Sequence, residues 1–343
     1  MDYTSYAVDK IRELVSIPSP TGMTDKASDT IAAELKGMGL HPLVTRKGTV
    51  ICALGGQGHP LLLSAHADTL GAIVRAVKPD GTLRYAHIGG FSDQAVENEN
   101  CLIHTLSGKT YTGTIRPVKA SRHVYTGEED KRNDETMAVT VDELTACAED
   151  TKRLGIAAGD YISFEPRFTL TDTGFIKSRH LDDKASAGLL LALAKAVTDG
   201  KVALGRETHL MFTVYEEVGH GASATLPDGI EDMIAVDMGC VGDDLNGKET
   251  HVSICFKDSA GPFHYGLTTR LVKMAEEAGC QYARDVFPSY ASDTAAALAA
   301  GLEARYAVIG PGVYASHCYE RTHVRALENT LKLLFQVIGG TMV

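Results

Sequence analysis

The chain has 343 residues, 44% of them hydrophobic and 22% charged, which is the make-up of a water-soluble globular protein long enough for two domains or for one domain carrying an insertion. Against 33 basic residues stand 44 acidic ones, a net charge of −11, so nucleic acid is excluded as a partner for want of cations to neutralise phosphates. No run approaches the ~18 apolar residues of a membrane span, the start MDYTSYAVDKIRELVSIPSP carries charges where a signal peptide needs an apolar stretch, and seven cysteines without a C-x-x-C pair suit reduced thiols, so the expectation is a cytoplasmic protein without membrane contact.

In chain order, SYAVDKIRELVSI spaces Val8, Ile11, Leu14 and Val15 at helical intervals, and TDKASDTIAAELKGMG predicts a second helix that stops at glycine. TVICAL and PLLLSAHAD read as strands. From about Gly71 to Glu165 the texture changes to short β-like pieces, many glycines and the charged run TGEEDKRNDET, which is too polar to pack and reads as a solvated loop. This stretch, 71–165, is predicted to be an inserted β domain. Beyond DYISFEPRFTLTDTGFIKS the α/β alternation resumes with helix LDDKASAGLLLALAKAV and strands THLMFTVYE, MIAVDMG and HVSICF. Helix YGLTTRLVKMAEEAG, strand CQYARDVF, helix DTAAALAAG, strand ARYAVIG and a closing helix VRALENTLKLLFQVIGG complete it. The fold class is α/β, with a core built from both flanks of the insertion, 1–70 and 166–343, and no internal repeat.

The segment MFTVYEEVG, residues 211–219, carries an apolar run straight into Glu216 and Glu217. A Glu-Glu pair at a strand end is ordinarily two solvated carboxylates. The other strand ends change that reading. LLLSAHADT sets His66 and Asp68 two apart, so their side chains leave one face, and a carboxylate beside an imidazole is a common means of fixing its tautomer for metal binding. SRHLDDKASAG puts Asp182 and Asp183 just before a helix, where a carboxylate also serves as an N-cap. IAVDMG ends a third apolar strand at Asp237, and VYASHCYERTH brings His317 and His323 into the loop before the last helix. Strand ends in an open α/β sheet meet in one crevice, which would collect His66, Asp68, Asp182, Glu216, Glu217, Asp237 and His317. So many carboxylates repel one another unless a pair of divalent cations neutralises them. Imidazole and carboxylate donors without thiolates suit zinc, cobalt or manganese in a hydrolytic site.

The order HAD, then LDDKASAG beyond an insertion, then YEEVG, VDMG and SHCYERTH resembles the tetrahedral dinuclear metallo-aminopeptidases, the family of glutamyl, leucyl and deblocking aminopeptidases, some once labelled endoglucanases. The resemblance spans essentially the whole chain. It implies a mixed-sheet α/β/α zinc-exopeptidase catalytic domain with an inserted β-barrel-like domain, two divalent metal ions per subunit, and removal of N-terminal residues from peptides. Zinc is the foremost metal, with cobalt or manganese as alternatives. Carried over residue by residue, the resemblance implies that Asp182 bridges the metals, that His66 and Asp237 complete one site, and that Glu217 and His317 complete the other. Asp68 would hold the imidazole of His66, and Glu216 would be the general base that takes a proton from the attacking water and returns it to the leaving amine. The implied assembly is a homododecamer built from dimers with the help of the inserted domain.

Three departures accompany the resemblance. Ser316 precedes His317 where the family commonly has histidine and then serine, a shift of one position relative to the following glutamate, which leaves His323 as a competing ligand. Asp183 and Lys184 follow the bridging aspartate where the family commonly has a small polar residue or aspartate and then arginine. SDTAAA matches only loosely the segment that would give Asp293 a substrate-orienting role. A metal-dependent deacylase or amidohydrolase acting on small N-acylated substrates is the alternative activity. A glycosidase is disfavoured, because the chain has no tryptophan with which to line a sugar groove.

Overall fold

The computed structural model describes residues 1–126 and 131–339, so residues 127–130 of the expected TGEEDKRNDET loop lie outside the described residues. The chain divides into two compact units, one made of Met1–Asp68 with Arg167–Val343 and the other of Thr69–Pro166. The class is α/β with a β insertion, in agreement with the expected fold.

A mixed sheet organises the first unit. Its middle is four parallel strands, Thr208–Thr213, Leu61–His66, Asp232–Val236 and Arg305–Tyr314, side by side in that order. Val50–Gly55 runs antiparallel outside the first of these, and Val252–Lys257 runs antiparallel against the fourth. Because the central strand LLLSAH is buried at every position, it reads in sequence as a continuous run and not as an alternation.

Helices cover this sheet. Tyr3–Val15 turns Ala7, Val8, Ile11, Leu14 and Val15 inward, the face its spacing predicts, and Asp25–Gly37 buries Ala27, Ile31, Ala32 and Leu35. Leu181–Thr198 is buried nearly all round, as LLLALA requires. Gly188 lets the first helix approach it: a Cβ there would sit 2.6 Å from Ile11 Cγ1 and 3.0 Å from the Ala7 carbonyl oxygen. The closing helix, Val324–Gly339, buries Leu327, Leu331, Leu334 and Val337, each such side chain contributing roughly 1.5–3 kcal/mol relative to exposure.

The second unit is a closed six-stranded barrel in the order Gly71–Val77, Leu83–Ile88, Met137–Val141, Thr110–Pro117, Asn100–His104, Tyr161–Phe164. All of its pairings are antiparallel. It has a core of its own around Val74, Tyr85, Ile103, Ile115, Val139 and Ile162, and closure leaves it no free strand edge.

Two local expectations are corrected. The strand expected to run through Tyr215 and Glu216 stops at Thr213, and the loop expected around His323 is a strand, Glu320–His323, paired with Phe175–Ser178. That strand alternates buried and more exposed residues over only four positions, too short a pattern to be seen in sequence. All seven cysteines are free, and among the described residues no helix is long and apolar enough to cross a membrane.

Candidate metal centre and active site

The parallel strands end together. Thr213 pairs with His66 and Val236 with Ile309, so the loops leaving this edge begin side by side. His66 closes its strand, Asp68 follows two residues on, and Asp237 follows the end of Asp232–Val236. Gly310 makes room for Asp237, because a Cβ there would lie 1.9 Å from the Asp237 carbonyl oxygen. After Thr213 the chain turns through Tyr215, at φ +67°, into the 3-10 turn Glu216–Val218, where consecutive side chains diverge, so the two glutamates leave in different directions. Asp182 sits at the start of Leu181–Thr198 but outside helical conformation, at φ −77° and ψ 105°, and its peptide bond to Asp183 is cis. His317, at φ +64°, lies in the turn between Arg305–Tyr314 and Glu320–His323.

Asp182 is the centre of the cluster. Its Oδ1 is 3.1 Å from His66 Nε2 and its Oδ2 is 3.4 Å from His317 Nε2. Glu217 Oε2 lies 3.6 Å from the same His317 nitrogen, and Glu216 Oε2 lies 3.8 Å from His66 Nε2. One donor atom each from His66, Asp182 and Asp237 falls within 4.8 Å of the others, and all three residues are buried. His323 is engaged elsewhere: its Nε2 donates to the Thr173 carbonyl at 2.8 Å and its Nδ1 accepts from the Arg325 N–H at 3.0 Å.

The electrostatics of the cluster are those of too many buried acids. Burial pushes the Glu217 carboxyl up to about 8 and that of Asp237 up to about 7, with the negative Asp182 adding to both. Burial, and then Asp237, also drives Glu216 and Asp183 well above the usual carboxylate range. Asp182 is the exception. Burial alone would raise it, but hydrogen bonds from His317 and His66 hold it below the usual range. Burial disfavours a cationic His66, yet the Asp182 hydrogen bond and the Glu216 charge outweigh burial and raise its pKa well above the ordinary value.

Asp68 acts differently from the expectation. His66 Nδ1 lies 3.0 Å from the main-chain carbonyl of Asp68 and 3.7 Å from its carboxylate, so the carbonyl is what holds the ring. The chain has left the pleat after His66, which turns the carbonyl toward the imidazole. The Asp68 carboxylate instead accepts the main-chain N–H of Glu216 at 3.2 Å and of Glu217 at 3.4 Å, and the Thr21 hydroxyl at 2.6 Å.

Several neighbours have roles that the sequence reading missed. Glu320, 2% exposed, accepts the N–H of Asp182 at 3.1 Å and of His317 at 3.2 Å. Asp183 Oδ2 accepts the His66 N–H at 3.3 Å. Lys184 is fully buried, donates to Ser19 Oγ at 2.7 Å, and is drawn down by burial to about 7. Asp293 accepts the Thr213 hydroxyl at 2.7 Å. All four stood inside quoted motifs, SHCYE, LDDKASAG and SDTAAA, but they bond to main chain or to hydroxyls, and such partners leave no mark in a pattern of charged side chains.

The residues present fit divalent cations. Asp183 Oδ1 and Asp237 Oδ1 are buried without a hydrogen-bond partner. Among the described residues, Asp182, Glu216 and Glu217 have only the two histidines as ion-pair partners. Buried acids in this number need positive charge, and imidazole with carboxylate is the donor set of hydrolytic metal sites.

The comparisons with known proteins agree with this chemistry. Residues 48–333 match the family model described as M42 glutamyl aminopeptidase. "Putative aminopeptidase YhfE" of Bacillus subtilis (strain 168) is 44% identical over 339 residues, covering 98% of each chain. Among solved structures, the TET aminopeptidase from a marine sediment Thaumarchaeota archaeon superposes with a TM-score of 0.88 at 17% identity, over 98% of this chain and 97% of that one. The Pyrococcus horikoshii TET1 peptidase, described as able to assemble into a tetrahedron or a large octahedral shell, superposes with a TM-score of 0.85 at 20% identity, over 97% and 99% of the two chains. With an acid-rich histidine cluster at the strand ends and a family match across most of its length, the chain belongs to the M42 glutamyl aminopeptidase family and is a metal-dependent peptide hydrolase that removes N-terminal residues.

Proposed function

We propose that this aminopeptidase works with two divalent cations, zinc foremost with cobalt or manganese as alternatives, shared by Asp182 and completed by His66 and Asp237 on one side and by Glu217 and His317 on the other. The observation that carries the reading is Asp182, whose two carboxylate oxygens each face a different imidazole. When bound, such cations acidify a water, polarise the scissile carbonyl and offset the charge that develops on its oxygen. Glu216 moves the proton: its Oε2 receives it from the attacking water and delivers it to the departing amine nitrogen. It is free for this because Glu217 faces His317 while Glu216 faces His66 across the cluster. Asp68, by holding both main-chain N–H groups, keeps the two carboxylates in their separate places. The cationic amino terminus of a peptide is drawn to this acid-rich end of the sheet, which favours cleavage next to a free N-terminus.

The assembly proposed is a cytoplasmic homododecamer built from dimers, with the barrel of Thr69–Pro166 contributing to contacts between subunits. Its support is the structural likeness to the P. horikoshii peptidase, together with a separate barrel unit that the chemistry does not require.

One experiment tests the activity. The protein is stripped of metal, restored with zinc, cobalt or manganese in turn, and assayed on aminoacyl-anilides beside N-acetyl amino acids. Cleavage of the free-amine substrates should return as two cations per chain are bound. Full activity at one cation per chain, or cleavage confined to the N-acetylated set, overturns the reading. Light scattering on the same samples should give a twelve-chain mass; active monomers or dimers overturn the assembly.

A further inference from the structure

Glu320 is a buried acid whose hydrogen-bond partners are two main-chain N–H groups from distant parts of the chain, and those two groups belong to Asp182 and His317. Its Oε2 takes the Asp182 N–H at 3.1 Å and its Oε1 takes the His317 N–H at 3.2 Å. Both donors need such a partner. Asp182 is buried and outside helical conformation, so its N–H has no intrahelical acceptor and needs one from elsewhere. His317 is held at φ +64°, a conformation that a non-glycine residue keeps only when its surroundings fix it.

The base of Glu320 is itself anchored. The strand Glu320–His323 pairs residue by residue with Phe175–Ser178, with Ser178 opposite Glu320, and Tyr314 pairs with Arg321. Thr322, fully buried on the same strand, donates its hydroxyl to the Gly312 carbonyl at 2.7 Å. A carboxylate with a fixed base and both oxygens committed sets the distance between the backbones it holds, and so between the carboxylate of Asp182 and the imidazole of His317, which lie 3.4 Å apart.

We propose that Glu320 is a positioning residue of the metal centre: one carboxylate that clamps the main chain of Asp182 and His317 and presets the spacing of their donor atoms for a cation. This rests on the reading above that Asp182 and His317 are both ligands. Glutamine is the informative replacement, because it keeps size and one acceptor oxygen but turns an NH₂ toward the second N–H, so only half of the clamp can form.

The experiment measures cation binding to the folded protein, with zinc and manganese as probes, by calorimetry on metal-stripped wild type, Glu320→Gln, Thr322→Val and Asp182→Ala, alongside thermal unfolding. Thr322→Val removes a buried hydrogen bond from the same strand without touching the clamp. It is expected to lower the unfolding midpoint while leaving cation affinity at the wild-type value. Glu320→Gln is expected to stay folded and to bind one cation of the pair about 10- to 100-fold more weakly, the scale of losing a partner that orients a ligand. Wild-type affinity for both cations in Glu320→Gln overturns the inference, as does an equal loss of affinity in Thr322→Val, since that marks a general effect of a loosened strand. Asp182→Ala separates the two levels. If it still binds two cations tightly, the ligand reading has failed; if it loses them while Glu320→Gln binds as wild type, the clamp alone has failed.

Discussion

The strand Asp232–Val236 has an aspartate at its start and another, Asp237, just past its end, and the protein surrounds them with opposite chemistry. Asp232 is fully buried between two arginines: Arg206 Nη2 lies 2.8 Å from its Oδ2 and Arg305 Nε 2.6 Å from its Oδ1. Asp237 is almost as buried, yet no lysine or arginine among the described residues pairs with it, and its Oδ1 has no hydrogen-bond partner. The same pattern extends around each. At the Asp232 end, Glu231 and His59 add a further pair at 3.0 Å, while at the Asp237 end one meets Asp182, Asp183, Glu216 and Glu217. A carboxylate taken out of water needs a cation, and the chain supplies its own at one end of the sheet and leaves the need open at the other. An end kept short of positive charge is an end prepared for metal.

The largest expected effect sharpens this contrast within the acid-rich end itself. If one acid there moves protons while the others hold cations, Glu216→Gln should leave two cations per chain and an unchanged unfolding midpoint, and lower turnover by at least ~10²-fold, the scale of a lost general base. Elemental analysis and steady-state rates on one preparation check both halves. Near-wild-type turnover removes Glu216 from the mechanism; loss of a cation makes it a ligand instead.

What could be seen beforehand follows from the same distinction between side-chain and main-chain chemistry. Helix Tyr3–Val15 was legible because Val8, Ile11, Leu14 and Val15 recur at the helical period over many residues, and LLLSAH because a strand buried on both faces is apolar throughout. His66, Glu217 and Asp237 were legible as candidates because charged residues at the ends of apolar strands are conspicuous, and Asp182 and His317 because they stand at a helix start and in a loop that the order of motifs sets beside those ends. The second layer was not. Asp68 was assigned to the imidazole of His66, but its carboxylate grips the backbone of Glu216 and Glu217, and Glu320 grips that of Asp182 and His317. Every residue but proline has an N–H, so nothing in a sequence marks which N–H a carboxylate will find. The strand Glu320–His323 was hidden for a related reason: its pairing with Phe175–Ser178 is long-range and its four residues carry no period.

The remaining prediction sets the two aspartates directly against each other, one asparagine replacement at a time, in metal-free protein. Asp232→Asn leaves Arg206 buried without its carboxylate and should destabilise the fold by about 3–5 kcal/mol. Asp237→Asn should do the reverse by a smaller amount. In the metal-free chain burial, and then Asp182, lifts the Asp237 carboxyl from an ordinary 3.8 to about 7. Between those values the native state holds more protons than the unfolded state, so stability falls as pH rises through the window and the loss is complete above it. The neutral amide has no proton to lose. Asp237→Asn should therefore make the fall between about pH 4 and 7 shallower and raise the midpoint at pH 8, where the whole of the linkage cost is felt by the wild type. Adding zinc should invert the order, because wild type then gains stability from the bound cation that the variant holds more weakly. Thermal unfolding of both variants with and without metal reads all of these signs. An Asp237→Asn protein as unstable as Asp232→Asn without metal would mean that Asp237 is a structural acid like its counterpart, with a partner of its own.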